Sequence, residues 1–111
     1  MSEELKVITL VYDFAKYLLP VIGRFPRSER YQLGERIEGL TFDLLDDLLT
    51  AKYTRQKRDI LFRANLRLEK IRFFVRLAYD LGFIGPGRFG HIADVVNRIG
   101  SQVGGWQKSA A

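Results

Sequence analysis

The stretch from Arg55 to Gly82, RQKRDILFRANLRLEKIRFFVRLAYDLG, constrains this chain most, because its apolar residues fall on two separate faces of one helix. Ile60, Ala64, Leu68, Ile71, Val75 and Ala78 recur at steps of four and three, which stacks them on a single side. Phe62, Leu66, Phe73 and Leu77 repeat at four, seven and four on a stripe rotated well away from the first. A helix in a small monomeric bundle buries one stripe against its neighbours, so the second stripe calls for a partner. Between the stripes sit Arg63, Arg67 and Lys70 on one flank and Arg58, Arg72 and Arg76 on the other. Periodicity and charge together describe a helix that is basic and self-associating.

The remaining segments repeat the helical pattern. A first helix over 4–22 opens with Glu3 and Glu4, which complement the positive end of its dipole. Leu5, Ile8, Tyr12, Ala15, Leu19 and Ile22 supply its buried stripe, and Pro20 is expected to bend its last turn. Gly23 and Phe25-Pro26 reverse the chain. A second helix over 28–52 has Ser28 as its capping residue, with Leu33, Ile37, Leu40, Leu44, Leu48 and Ala51 inward. Tyr31, Phe42, Leu45 and Leu49 occupy a different side, and Gly34 and Gly39 are places for close helix packing. The third helix covers 55–82 and ends on Gly82 as a left-handed cap. A fourth over 88–103 turns Phe89, Ile92, Val96, Ile99 and Val103 inward, and Gly104-Gly105 opens a C-terminal tail over 104–111. Short connections make consecutive helices antiparallel. The expected fold is all-α, an up-down-up-down four-helix bundle in one domain over 1–111, assembling into a ring- or barrel-like homo-oligomer.

Composition excludes several classes. With 47% hydrophobic and 28% charged residues the chain is an ordinary globular one, and the absence of cysteine removes disulfide and thiol chemistry and fits a cytoplasmic protein. No secretory signal is expected at the N-terminus. The most apolar segment, Val7 to Ile22, is interrupted by Asp13, Lys16 and Pro20 and is too short to span a bilayer. A peripheral role through a basic amphipathic helix is the lesser alternative, and no membrane partner is expected. The net charge of +5 is unevenly spread. Residues 52–76 hold nine basic and two acidic groups, a net of +7, whereas residues 29–47 hold six acidic and two basic groups, a net of −4.

Candidate chemistry is sparse. Gly85-Pro86-Gly87-Arg88-Phe89-Gly90 matches G-x-G-x-x-G in form, but a dinucleotide loop follows a strand and here a helix precedes it. The segment reads as a helix–helix turn. His91 is the single histidine, and Asp43 and Asp47, one turn apart, have no Glu-x-x-His partners of the kind that bundle metal sites use. Those aspartates read as a solvated or salt-bridging face. No nucleophile, base and orienting group can be assembled, so no catalytic residue, metal or cofactor is expected. Asp59–Arg63 and Glu69–Arg72 can pair along the third helix, and the acidic second helix can absorb further arginines. The remaining positive charge, multiplied by oligomerisation, favours binding of a polyanion through its backbone, with strong salt dependence.

Four segments carry a family resemblance. Phe25-Pro26-Arg27-Ser28-Glu29-Arg30-Tyr31-Gln32-Leu33-Gly34-Glu35-Arg36-Ile37 resembles the start of the second helix in the accessory variability determinant (Avd) proteins of diversity-generating retroelements. Arg63-Ala64-Asn65-Leu66-Arg67-Leu68-Glu69 and Arg76-Leu77-Ala78-Tyr79-Asp80-Leu81-Gly82 resemble the third helix of that family. Ile99-Gly100-Ser101-Gln102-Val103-Gly104-Gly105-Trp106 resembles its C-terminal end, and the loop Phe83 to Gly87 is where the sequence departs from the pattern. The resemblance implies a four-helix protomer in a basic, barrel-like homopentamer. It further implies binding to RNA or DNA and to the retroelement's reverse transcriptase, in support of copying a template RNA into mutagenised cDNA. The four-helix proteins of ribosomal RNA intervening sequences are a related group, and a purely structural role of that type is the alternative.

Under the retroelement reading, Arg55, Arg58, Arg63, Arg67, Lys70 and Arg76 are the expected phosphate contacts, with Arg24, Arg27 and Arg30 as a second group. Phe42, Leu45, Leu49, Phe62, Leu66, Phe73 and Leu77 are the expected oligomer interface.

Overall fold

Five α-helical segments and one π-helical turn make up the structure, a computed structural model that describes residues 2–110. They are α1 (Glu3–Ile22), α2 (Arg27–Glu29), the π-helical turn Arg30–Gly34, α3 (Glu35–Lys52), α4 (Arg58–Asp80) and α5 (Pro86–Ser109). The segment from α2 through the π-helical turn to α3 is continuous, so the chain forms four antiparallel rods, with no strand among the described residues. Each rod packs on two others: α3 lies between α1 and α4, and α5 closes the square between α4 and α1. The bundle measures 43 × 23 × 20 Å.

Local chemistry accounts for most of the boundaries. The Ser2 hydroxyl accepts from Leu5 N at 3.1 Å and caps α1, with Glu3 and Glu4 in its first turn. Helix α4 stops in a Schellman motif. Gly82, with φ of 83°, donates to Tyr79 O at 2.9 Å, and Phe83 N donates to Ala78 O at 2.9 Å. Only a glycine takes that left-handed position without steric cost. At Gly34 the constraint is space: an added Cβ would lie 2.8 Å from Ile22 Cγ2. The π-helical turn thus brings α1 and the second rod together at their shared end.

The second rod buries the residues that the periodicity assigns: Leu33, Ile37, Leu40, Leu44, Leu48 and Ala51 are all in the core. Ala64, Leu68, Ile71, Val75 and Ala78 of α4 are buried too, and each fully buried leucine or isoleucine contributes about 2 kcal/mol.

Elsewhere the structure corrects the sequence reading. Helix α1 turns Val7, Val11, Phe14, Leu18 and Val21 inward, leaving Leu5 and Tyr12 exposed and only Ile8, Ala15 and Ile22 from the expected stripe buried. Two apolar registers overlap in α1, and contact with two neighbouring rods selects the line between them. Helix α4 begins at Arg58 instead of Arg55, and Leu61 in place of Ile60 takes the innermost position. Ser28 is not a cap: Pro26 precedes the first helical residue, and no side chain caps that end. A Cβ added at Gly39 would meet no atom of a neighbouring element within 4 Å, so Gly39 is not a close-packing point.

The C-terminal tail over 104–111 is instead helical through Ser109, and Trp106 is buried. Helix α5 also starts at Pro86, two residues before the expected Arg88, because proline is well suited to a first helical position. Two glycines in a helix interior cost about 1 kcal/mol each, and burial of Val103 and the Trp106 ring outweighs them.

Candidate functional site

The seam between α3 and α4 holds three of the six ion pairs among the described residues. Asp47 lies on the flank of α3 that meets α4 and is 4% exposed. Arg63 donates from Nε and Nη2 to Asp47 Oδ1 at 3.1 and 3.0 Å. Arg67 donates from Nε to Asp47 Oδ2 at 2.6 Å and from Nη1 to Asp43 Oδ2 at 2.7 Å. Both pairs are spaced one helical turn, so once the rods pack antiparallel in this rotation the rungs of the ladder come into register. Charge-assisted bonds of this geometry compensate for burying the Asp47 carboxylate. The expected Asp59–Arg63 pair does not form, because Arg63 turns to Asp47 across the seam. On the same flank the Arg36 guanidinium lies 5.5 Å from the Phe74 ring centre.

On the other flank α4 meets α5 through neutral and mixed contacts. Arg72 pairs with Glu69 at 3.1 Å, as the sequence spacing implies, and also donates to Asn97 Oδ1. Asn65 Nδ2 donates to Gln107 Oε1 at 2.9 Å, a contact that depends on α5 extending beyond Gly105. Arg76 approaches Asp80 only to 3.9 Å at an exposed position, a pair of little energetic weight.

The other expected phosphate contacts separate to the two ends of the bundle. Antiparallel rods carry Arg24, Arg27 and Arg30 to the end where α1 meets α2, and Arg55 and Arg58 to the end where α3 turns into α4. Arg30 donates to Gly23 O at 3.4 Å, whereas Arg24, Arg27, Arg55 and Arg58 have no ion pair or side-chain hydrogen bond among the described residues. Arg27 and Arg58 are the first residues of α2 and α4, where the dipole disfavours cations, so their positive charge adds to that of those two helix starts. Lys70 lines a shallow depression with Glu35, Arg36, Gly39 and Asp43. Lys57 serves the structure instead, since its ammonium donates to Ala51 O at 2.6 Å and Thr54 O at 2.7 Å and so caps α3.

The outer face of α4 is apolar. Phe62, Leu66, Phe73 and Leu77 are 63%, 46%, 67% and 44% exposed, on the side opposite the core. Phe42 and Leu49 are exposed on α3, while Leu45 is half-buried against the core. An apolar cleft of about 240 Å³ lies between α4 and α5, lined by Phe73, Val75, Phe89, Ile92 and Val96 with Arg72 and Arg76 at its edge. His91 packs edge-on against Tyr17, with ring centres 4.5 Å apart. Among the described residues there is no cluster of three metal-ligating side chains.

The chain matches the bAvd-like family over residues 6–110, which spans all four rods. It belongs to that family. The family is that of the accessory variability determinants, which implies an accessory role in diversity-generating retroelements and association with retroelement proteins. Such accessory proteins are generally non-catalytic. Neither a curated protein nor a solved structure matches the chain.

The sequence-expected contacts of this bAvd-like protein thus divide into two sets. Arg63 and Arg67 have their charge met by Asp43 and Asp47 inside the protomer, and Arg24, Arg27, Arg55 and Arg58 at the bundle ends have no ion pair among the described residues. Sequence spacing alone does not separate them, because the pairing acids lie 16 to 24 residues away. Tyr53, 81% exposed at the α3–α4 turn, escaped the sequence reading. Its signal was an aromatic residue directly following a helical stripe and preceding a basic run. No helix among the described residues is long and apolar enough to cross a membrane.

Proposed function

We propose that this bAvd-like protein is a non-catalytic subunit that binds template RNA or its cDNA together with the retroelement's reverse transcriptase, supporting mutagenic copying. The observation that carries the reading is the family match over residues 6–110. The open arginines support it further: Arg24 and Arg27 at one end and Arg55 and Arg58 at the other offer cations to a phosphate backbone without breaking an internal ion pair, and Arg30, which donates to Gly23 O, stands beside the first two. Lys70 and Arg76 are secondary contacts. Arg63 and Arg67 act mainly as the α3–α4 seam.

The outer stripe of α4 serves self-association into a ring-like homopentamer, as the family resemblance implies. Four large apolar side chains on a face turned away from the core are a surface that a second protomer covers favourably. Assembly then repeats each arginine cluster around the ring and raises the local positive potential. Light scattering on nucleic-acid-free protein at moderate salt tests this. A mass of about five protomers is expected, and Phe73→Asp is expected to lower it. A monomeric wild-type protein would remove both the ring and the charge multiplication.

A further inference from the structure

Tyr53 is the most exposed of the large hydrophobic side chains described, and it lies outside the outer stripes of α3 and α4. Its turn is firmly held. Tyr53 N donates to Thr50 O at 3.2 Å, and the Thr54 hydroxyl donates to the same carbonyl at 2.6 Å. Lys57 ties the turn to the end of α3 through Ala51 O and Thr54 O. A ring placed on such a turn loses little freedom when a ligand meets it. The Lys52 ammonium lies 5.0 Å from the ring centre, and Arg55 and Arg58 border a depression of about 450 Å³ with Gln56 and Asp59.

An open aromatic face beside unpaired cations has the chemistry that binds single-stranded nucleic acid, in which the ring stacks on a base and the cations hold phosphates. A duplex offers no such face, because its bases are stacked inside. A second copy of the chain fits this end poorly, since its own cations would oppose these. We propose that Tyr53 is a stacking platform for an unpaired base of single-stranded RNA or DNA, with Arg55 and Arg58 on the flanking phosphates. The proposal rests on the nucleic-acid-binding role proposed above and names the form of nucleic acid that this end takes.

Fluorescence anisotropy on the full chain tests it, with short labelled oligo-U and oligo-dT and a blunt duplex of equal length. Tyr53→Ala is expected to weaken single-strand binding about tenfold and to leave the duplex affinity and the salt dependence unchanged. Tyr53→Phe keeps the ring and is expected to bind as wild type. Arg55→Glu with Arg58→Glu is expected to weaken both ligands and flatten the salt dependence. Wild-type single-strand affinity in Tyr53→Ala, or an equal loss on the duplex, would overturn the stacking role and leave the binding role standing. A wild-type protein that bound neither ligand would overturn both.

Discussion

The α3–α4 seam and the ends of the bundle are both rich in arginine, yet the residue does different work in the two places. In the seam, Arg63 and Arg67 meet the buried Asp47 and the neighbouring Asp43 in a ladder closed within one protomer. At the ends, Arg24, Arg27, Arg55 and Arg58 meet no acid among the described residues, and Arg27 and Arg58 stand at helix starts, where the dipole disfavours positive charge. A basic composition therefore overstates the charge available to a polyanion. What counts is the charge left after internal pairing, and in this fold Arg24, Arg27, Arg55 and Arg58 carry much of it to the ends of the rods.

The sharpest way to break the comparison is to remove the buried carboxylate. Asp47→Ala is expected to destabilise the protomer by about 2–3 kcal/mol in urea unfolding. The loss stays below the largest values for buried pairs because Arg63 and Arg67 can still reach water. A loss under about 0.5 kcal/mol would place the seam among ordinary surface pairs.

Charge reversal then distinguishes the two arginine sets. Arg63→Glu with Arg67→Glu sets like charges against Asp47 and is expected to lower stability by about 2 kcal/mol. Arg55→Glu with Arg58→Glu is expected to leave stability within about 0.5 kcal/mol and to reduce the slope of log affinity against log salt by about one per arginine. If the seam variant lost affinity while keeping its unfolding midpoint, the division between the two sets would fail. A smaller effect sharpens the picture at the opposite end: Arg24→Gln or Arg27→Gln alone is expected to remove about one unit of salt slope without changing stability. Gly82→Ala, away from both arginine sets, is expected to cost about 1 kcal/mol through its left-handed φ of 83°.

Much of the fold is legible in the sequence where the signal is local. The periodicity of Leu33, Ile37, Leu40, Leu44, Leu48 and Ala51 identifies the inner face of the second rod, because that register is longer and more continuous than the competing one of Tyr31, Phe42, Leu45 and Leu49. The outer stripe of Phe62, Leu66, Phe73 and Leu77 is visible through the same helical spacing, on a face well away from the inner register. Helix α1 is harder. Leu5, Tyr12 and Leu19 share a seven-residue spacing that competes with Val7, Val11, Phe14, Leu18 and Val21, and only packing against two neighbours decides between them. The C-terminal glycines mislead for the opposite reason: a weak local preference against helix yields when Val103 and Trp106 bury large apolar surfaces.

By itself the sequence determined the helical class, the surplus apolar face of α4, the basic character of its surroundings and the family resemblance that the match over residues 6–110 bears out. Each of these is written in short-range spacing or in the order of residues along the chain. Which arginines are free was decided by tertiary structure, because Asp43 and Asp47 reach Arg63 and Arg67 only after α3 and α4 align antiparallel. The exposure of Tyr53 and the division of the open cations between two ends arose in the same way. Pairing between rods depends on their relative rotation and direction, and no pattern within a single helix contains that information.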